Sequence, residues 1–155
     1  LCKKVDIIPL EVIVRNIAAG SIVRQTTIPE GEKFFIPLVE FHLKDDSKDD
    51  PLLTYDRMKI MGYDQAEFIK PALDINKILT KLFFNIGLDL VDFKIEFGTD
   101  KDGNLLLADE ISPDSCRLWK KGTRDSFDKD LFRKDKGDIL EAYKHILDSL
   151  ENKLS

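Results

Sequence analysis

Asp92, Lys94 and Glu96 alternate with Phe93, Ile95 and Phe97 in the run Val91 to Gly98 (VDFKIEFG). Successive side chains of a strand point to opposite faces, so the carboxylates and the ammonium share one face while the apolar residues turn to the core. Asp109 and Glu110 follow on the partner run, Asn104 to Ile111. Oxygen donors so arranged suit a hard divalent cation, since magnesium takes one or two carboxylates and completes its octahedron with water and substrate phosphate. The same alternation marks any antiparallel sheet with one wet face, where ion pairs of small value are routine, so pattern alone leaves both readings open.

Two other groups could receive an anion: Arg15 with Gly20-Ser21, and Asp114 with Arg117. A guanidinium is a planar fork matched to carboxylate and phosphate, and a hydroxyl at a helix start lies beside free backbone N–H groups. Singly, each is more often a surface ion pair or a plain N-cap. Lys44, at a strand end before an acidic loop, is by default a solvated charge. His42 and His145 are isolated, and Cys116 has no His near it in sequence, which argues against a covalent nucleophile.

The elements that must position these residues can be read from pattern. Glu11 to Arg15 is β-branched and reads as a strand leaving a hinge marked by Pro9. Ile22 to Thr27 reads as a short helix with Ser21 as its cap, and Lys33 to Lys44 as a strand that Pro37 pushes to a sheet edge or a bulge. Asp45 to Pro51 is a solvated loop, and Tyr55 to Gly62 a short helix. A long helical stripe runs from Asp64 to Ile86 and ends at Gly87, with a break or kink expected near Ile69-Lys70 because Pro71 follows. Leu90 to Gly98 and Asn104 to Ile111 flank a turn sequence and form a hairpin. Ser112 to Lys136 shows no sustained period and reads as loop with short helical turns, and Gly137-Asp138 opens an amphipathic C-terminal helix.

Hairpin register decides where Asp109 points. An even number of unpaired loop residues places it on the face of Asp92, Lys94 and Glu96. An odd loop without a bulge turns it to the core, where an unpaired carboxylate is costly. The even register, or a bulge that restores the face, is therefore expected.

Composition bounds the rest. A chain of 155 residues and 17.8 kDa fits one compact domain, and no apolar run approaches the roughly 18 residues of a membrane span. A net charge of −5 with pI ≈ 5.1 argues against a basic groove for nucleic acid, while local phosphate sites stay possible. Cys2 and Cys116 lack metal-site spacing and are too few for a disulfide framework, which suggests a reducing compartment. The opening Leu1 to Ile8, without an initiator Met, reads as the middle of a longer chain, whereas the C-terminal stripe reads as a native end.

Taken together, the three groups lie in segments that resemble the SAICAR synthetase family. Ile8 to Ser21 (IPLEVIVRNIAAGS) looks like its first signature, Val91 to Gly98 is similar to its second, and Asp109 to Trp119 (DEISPDSCRLW) matches a third segment. Asp128 to Arg133 (DKDLFR) and Ala142-Tyr143 continue the match. The resemblance implies an α+β fold, an ATP-grasp-like C-terminal lobe with a mostly antiparallel sheet and packed helices. Residues 1–10 would be the inter-lobe hinge and 11–155 the C-terminal domain, with the N-terminal lobe and its phosphate loop absent. It implies an ATP-dependent ligase of the cytoplasm, joining the carboxylate of carboxyaminoimidazole ribonucleotide (CAIR) to the amine of L-aspartate in purine biosynthesis. Half an ATP site implies little turnover from these 155 residues alone.

Residue by residue, the resemblance makes Glu96 and Asp109 magnesium ligands and nucleotide contacts, with Asp92 assisting at the metal. Lys94 and Asp92 are the catalytic positions. Arg15, Ser21, Asp114 and Arg117, with Arg133, resemble CAIR-binding positions. Lys44 falls near nucleotide and Asp50 near substrate, and Ile7 to Leu10 resemble the hinge that meets adenine. A homodimer is a further expectation. The rival readings are an ATP-grasp-like kinase, which needs a hydroxyl acceptor where Arg15, Ser21 and Arg117 argue for an anionic one, and a non-catalytic module that binds Mg²⁺ or a partner.

Overall fold

The computed structural model describes residues 2–127 and 139–154. The chain forms one antiparallel sheet with helices on its apolar face. Strand β1 (Asp6–Ile17) lies between β2 (Lys33–Leu43) and β3 (Leu88–Thr99). The far side of β3 is shared: β4 (Leu105–Ala108) pairs with its C-terminal third, and β5 (Cys116–Lys120) with its N-terminal half. Between the two, Lys94 N–H donates to the Ser115 carbonyl at 2.8 Å. The chain leaves and re-enters the sheet there, which brings residues 109–115 beside Lys94.

Helices α1 (Ser21–Gln25), α2 (Tyr55–Ile60), α3 (Gln65–Asn85) and α4 (Ile139–Leu154) follow the expected order. Leu10, Val12 and Val14 of β1, Phe41 of β2 and Phe93, Ile95 and Phe97 of β3 form one buried layer with Met58 of α2, Phe68, Ala72, Leu79 and Phe83 of α3 and Ile146 of α4. Phe68 meets both Phe41 and Phe97 edge-on or tilted, clamping α3 across three strands. Among the described residues no helix is long and apolar enough to cross a membrane.

Several expectations need correction. Helix α3 runs unbroken through Pro71. The lost hydrogen bond and ring clash cost about 3 kcal/mol, and the burial of an apolar face along five turns outweighs that. Pro9 is no strand boundary: β1 begins at Asp6, within the segment expected to be a hinge, and the ladder to β3 lapses only between Ile7 and Glu11. The Pro9 carbonyl still accepts from Lys44 N–H at 3.1 Å. The stretch expected to be loop contains β5, whose Cys116 and Leu118 face the core. A five-residue strand is too short for its alternation to stand out among charged neighbours. Pro37 does lie on an outer strand, in an irregularity where Ile17 pairs Lys33 and Arg15 pairs Leu38.

Candidate functional site

The site lies on the open face of the sheet, and register builds it. Arg15 on β1 stands opposite Asp92 on β3, and Asp92 stands opposite Arg117 on β5. Directly opposed residues share a face, so the three charges form a row across three strands. Both guanidiniums reach one oxygen: Arg15 Nη1 donates to Asp92 Oδ2 at 3.0 Å and Arg117 Nη1 at 2.5 Å. Arg15 is 3% exposed and spends its remaining donors on Glu40 (2.5 Å), the Ala19 carbonyl (3.2 Å) and Ser21 Oγ (2.7 Å). Arg15, Ser21, Asp92 and Arg117 are thus one assembly.

Ser21 does not cap α1. It is the first residue of the helix, Gly20 precedes it, and no side-chain cap bond forms. Gly20 has φ +69°, and a Cβ there would lie 2.9 Å from Arg117 Nη2. The Arg117 guanidinium therefore rests on the bare glycine backbone, in a conformation that only glycine adopts without strain. Gly20→Ala is expected to lose about 1–3 kcal/mol of stability from the backbone alone and to displace Arg117. Urea denaturation reads the loss, and a variant as stable as the parent would show that the contact does not matter.

The second half of the site is a carboxylate–ammonium cluster. Glu11 on β1 faces Glu96 on β3. Like charges directly opposed are unfavourable unless a cation intervenes, and two do. Lys94 Nζ lies 3.1 Å from Glu11 Oε1 and 2.9 Å from Glu96 Oε1, and Lys44 Nζ is 2.6 Å from Glu96 Oε2. Burial alone would raise the Glu96 carboxyl, which is 1% exposed, but the hydrogen bonds from Lys44 and Lys94 outweigh it and hold the group below its ordinary value. Burial alone would lower Lys94, and its hydrogen bonds to Glu96 and Glu11 hold it above its ordinary value.

Asp109 completes the cluster by an unexpected route. The loop between Thr99 and Leu105 is five residues, an odd number, so the even register does not hold. Continued pairing would have turned Asp109 to the core. Instead the ladder stops at Ala108, Asp109 takes φ +61°, and its carboxylate lies 3.8 Å from Lys94 Nζ. A left-handed residue at the strand end restores the face that a bulge was expected to restore. Aspartate is among the residues that tolerate this conformation.

The other expected residues are placed less centrally. Asp92 lies under two guanidiniums rather than beside Glu96 and Asp109, and among the described residues no group of three His, Cys, Asp or Glu side chains is placed to hold a metal. Asp114 does not pair with Arg117; it accepts from the Tyr143 hydroxyl at 2.9 Å, tying α4 to the loop before β5. The Asp50 carboxylate accepts from Asp45 N–H at 2.8 Å and closes its own loop, while the Asp50 carbonyl lies 2.8 Å from His42 Nδ1. Ile7 is half-exposed opposite Gly98, away from both clusters in sequence and register. Arg133 lies outside the described residues.

Glu11 and Glu40 are the residues that sequence reasoning missed. The signal was available: Glu11 and Arg15 share strand parity, as do Glu40 and Lys44, so each stood on the polar face of a strand already recognised.

Comparison with known proteins places the chain among relatives. A family model described as SAICAR synthetase matches residues 1–150. The chain is 51% identical over 155 residues to the phosphoribosylaminoimidazole-succinocarboxamide synthase of Staphylococcus carnosus, covering 97% of this chain and 66% of that protein. It is 50% identical over 154 residues to the enzyme of that name from Methanocaldococcus jannaschii, covering 97% and 64%. Among solved structures, a SAICAR synthetase in complex with ADP superposes with TM-score 0.89 at 47% identity, over 95% of this chain and 64% of that one. The Pyrococcus horikoshii SAICAR synthetase gives TM-score 0.88 at 47% identity, over 96% and 67%. The chain thus spans about two thirds of the length of such relatives. With the family model, the curated relatives and the solved folds in agreement, the chain belongs to the SAICAR synthetase family.

Proposed function

We propose that this chain is the larger, C-terminal part of an ATP-dependent ligase that joins the carboxylate of CAIR to the amine of L-aspartate, giving SAICAR, ADP and phosphate in purine biosynthesis. The observation that carries the reading is the juxtaposition on one sheet face of a lysine–carboxylate cluster, suited to nucleotide phosphates, with a buried guanidinium row suited to an anionic acceptor. In that reading the fold is ATP-grasp-like, and the part of the relatives that this chain does not span supplies the other wall of the nucleotide site.

The chemistry follows from the substrates. A carboxylate is a poor electrophile, so an oxygen of the CAIR carboxylate first attacks the γ-phosphorus and the bond to ADP breaks. The aspartate amine then attacks the acyl carbon, phosphate leaves with the bonding pair, and the nitrogen gives up a proton. Lys94 and Lys44 stand where they can balance charge on the transferring phosphoryl group, and stabilisation of that charge is most of what such a site must do. Arg15 holds Ser21 and Asp92 in place, and Arg117, less buried than Arg15, is the guanidinium that can meet the acceptor.

A magnesium ion fits the donor set, because Glu96 and Asp109 are oxygen ligands that already converge on a cation, the Lys94 ammonium. Bound there, the ion would draw phosphate oxygens together and neutralise their charge. Two carboxylates leave its remaining positions to water and phosphate.

Asp109→Asn is expected to weaken Mg·ADP binding to the intact protein by at least about tenfold, roughly 1.4 kcal/mol, in calorimetry. Unchanged binding would instead favour an acidic face with no part in nucleotide chemistry.

A further inference from the structure

His42 takes part in neither cluster, yet it stands beside them. It is directly opposite Glu11 of β1, so the two share the open face of the sheet. Its Nδ1 lies 2.8 Å from the Asp50 carbonyl. A carbonyl oxygen only accepts, so Nδ1 carries the hydrogen and donates. Nε2 is buried and has no hydrogen-bond partner among the described residues. A buried polar atom without a partner is destabilising, and a phenyl ring of similar size would avoid that penalty. The imidazole is therefore explained by what Nδ1 holds rather than by packing.

What it holds is a strained turn. β2 ends at Leu43, and the chain doubles back so that Leu52 bridges to His42, Leu43 N–H donates to the Pro51 carbonyl (3.1 Å) and Leu53 N–H to that of Phe41 (2.8 Å). Inside the turn Asp49 and Asp50 are both left-handed, with φ +59° and +41°. Residues in such conformations persist only where their surroundings over-determine them, and they gather at functional sites. Asp50 is held at three points. Its N–H donates to the Asp45 carbonyl (3.4 Å), its Oδ1 accepts from Asp45 N–H (2.8 Å), and its carbonyl accepts from His42. The first two bonds stay within the turn, whereas the third fastens Asp50 to the sheet. Among the described residues nothing bonds to Asp50 Oδ2, and a carboxylate fixed through one oxygen presents the other in a set direction. The turn also follows directly on Lys44, whose ammonium is 2.6 Å from Glu96, so it borders the carboxylate–ammonium cluster.

We infer that His42 is a positioning residue: through Nδ1–H it fastens Asp50 to β2 and so aims the open carboxylate oxygen of Asp50 at a donor group of the substrate. The inference rests on the proposed function, in which Asp50 lies near substrate, and adds the side chain that keeps it there.

The test compares three variants of the intact protein. His42→Phe keeps a ring and loses the donor, His42→Gln carries its amide too far out, and His42→Asn places an amide nitrogen where Nδ1 was. Amide hydrogen exchange over residues 45–51, read by mass spectrometry, should run about tenfold faster in His42→Phe and His42→Gln and return towards the parent rate in His42→Asn. The urea midpoint of His42→Phe should stay with the parent's, since the orphaned Nε2 goes together with the bond. In ligase assays KM for CAIR or for aspartate should rise roughly five- to tenfold in His42→Phe and His42→Gln at unchanged kcat, with His42→Asn restoring it. A His42→Phe turn that exchanges at the parent rate overturns the inference, as does faster exchange with both KM values unchanged. A lower urea midpoint with kcat falling alongside in all three variants also overturns it, since that marks a residue of general structural importance. If the intact parent makes no SAICAR from CAIR, aspartate and ATP, the proposed function fails and the role given to Asp50 falls with it, whatever the exchange rates.

Discussion

Asp92→Ala is expected to destabilise the protein by about 3–5 kcal/mol, the range for removing one partner from a buried ion pair and leaving the other charge uncompensated. Asp92 Oδ2 takes a bond from each of two guanidiniums, and Arg15 is almost fully buried, so without the carboxylate two cations face each other across β3, with Glu40 still paired to Arg15. Water cannot make up the difference for a group as enclosed as Arg15. Asp92→Asn, which keeps an acceptor oxygen and removes the charge, should fall between the two. Urea midpoints at constant slope measure both. If Asp92→Ala loses less than about 1 kcal/mol, the row is no buried network.

Under the proposed function, Lys94→Met is expected to reduce ligase turnover of the intact protein by on the order of 10²–10³-fold, comparable to the loss of one preorganised charge-stabilising donor elsewhere. The variant also carries a signature that a merely catalytic role would not produce. In the parent, Glu96 is held below its ordinary value, so its contribution to stability is present above the unfolded value of about 4.3 and is lost as pH falls through the lower folded value. Lys94 is raised, so its contribution is present below the unfolded value of about 10.4 and is lost as pH rises through the folded one. Removing the ammonium leaves Glu11 facing Glu96 with Lys44 still bonded to it, so less opposes the burial that raises the Glu96 carboxyl. The stability gap between parent and variant should therefore be wide at pH 8 and narrow as pH falls towards 5. A gap constant with pH would mean that Lys94 does not neutralise Glu96.

The polar face was legible in the sequence because strand parity is local. Asp92, Lys94 and Glu96 had to share a side once Phe93, Ile95 and Phe97 were taken as core, and the structure places them so. What parity cannot give is which strands are neighbours. Arg15, Asp92 and Arg117 are separated by 77 and 25 residues, and their meeting depends on β1 and β5 flanking β3. The family resemblance grouped Arg15 with Arg117 as substrate contacts and set Asp92 apart with the metal and catalytic positions, without saying that the three bond to one another. The route by which Asp109 reaches the expected face was missed for a different reason. Its face is set by a single left-handed residue after the last paired position, and counting loop residues cannot anticipate that. β5 was overlooked because a short strand among charged residues has too few alternations to be told from coil, and Pro71 because a local penalty was weighed without the tertiary contacts that offset it.

The treatment of the two outer strands has a consequence for behaviour at high concentration. Bare rims of hydrogen-bonding groups invite another copy to add on, and here neither rim is a clean template. On one side β2 is interrupted by the irregularity containing Pro37, which offers no donor, and on the other the rim is divided between β4, four residues long and stopped at the left-handed Asp109, and the five-residue β5. The same backbone departure that aims a carboxylate at Lys94 thus also ends a strand before it could seed fibrillar stacking. Straightening either rim, by Pro37→Val for instance, should favour self-association long before it alters the fold.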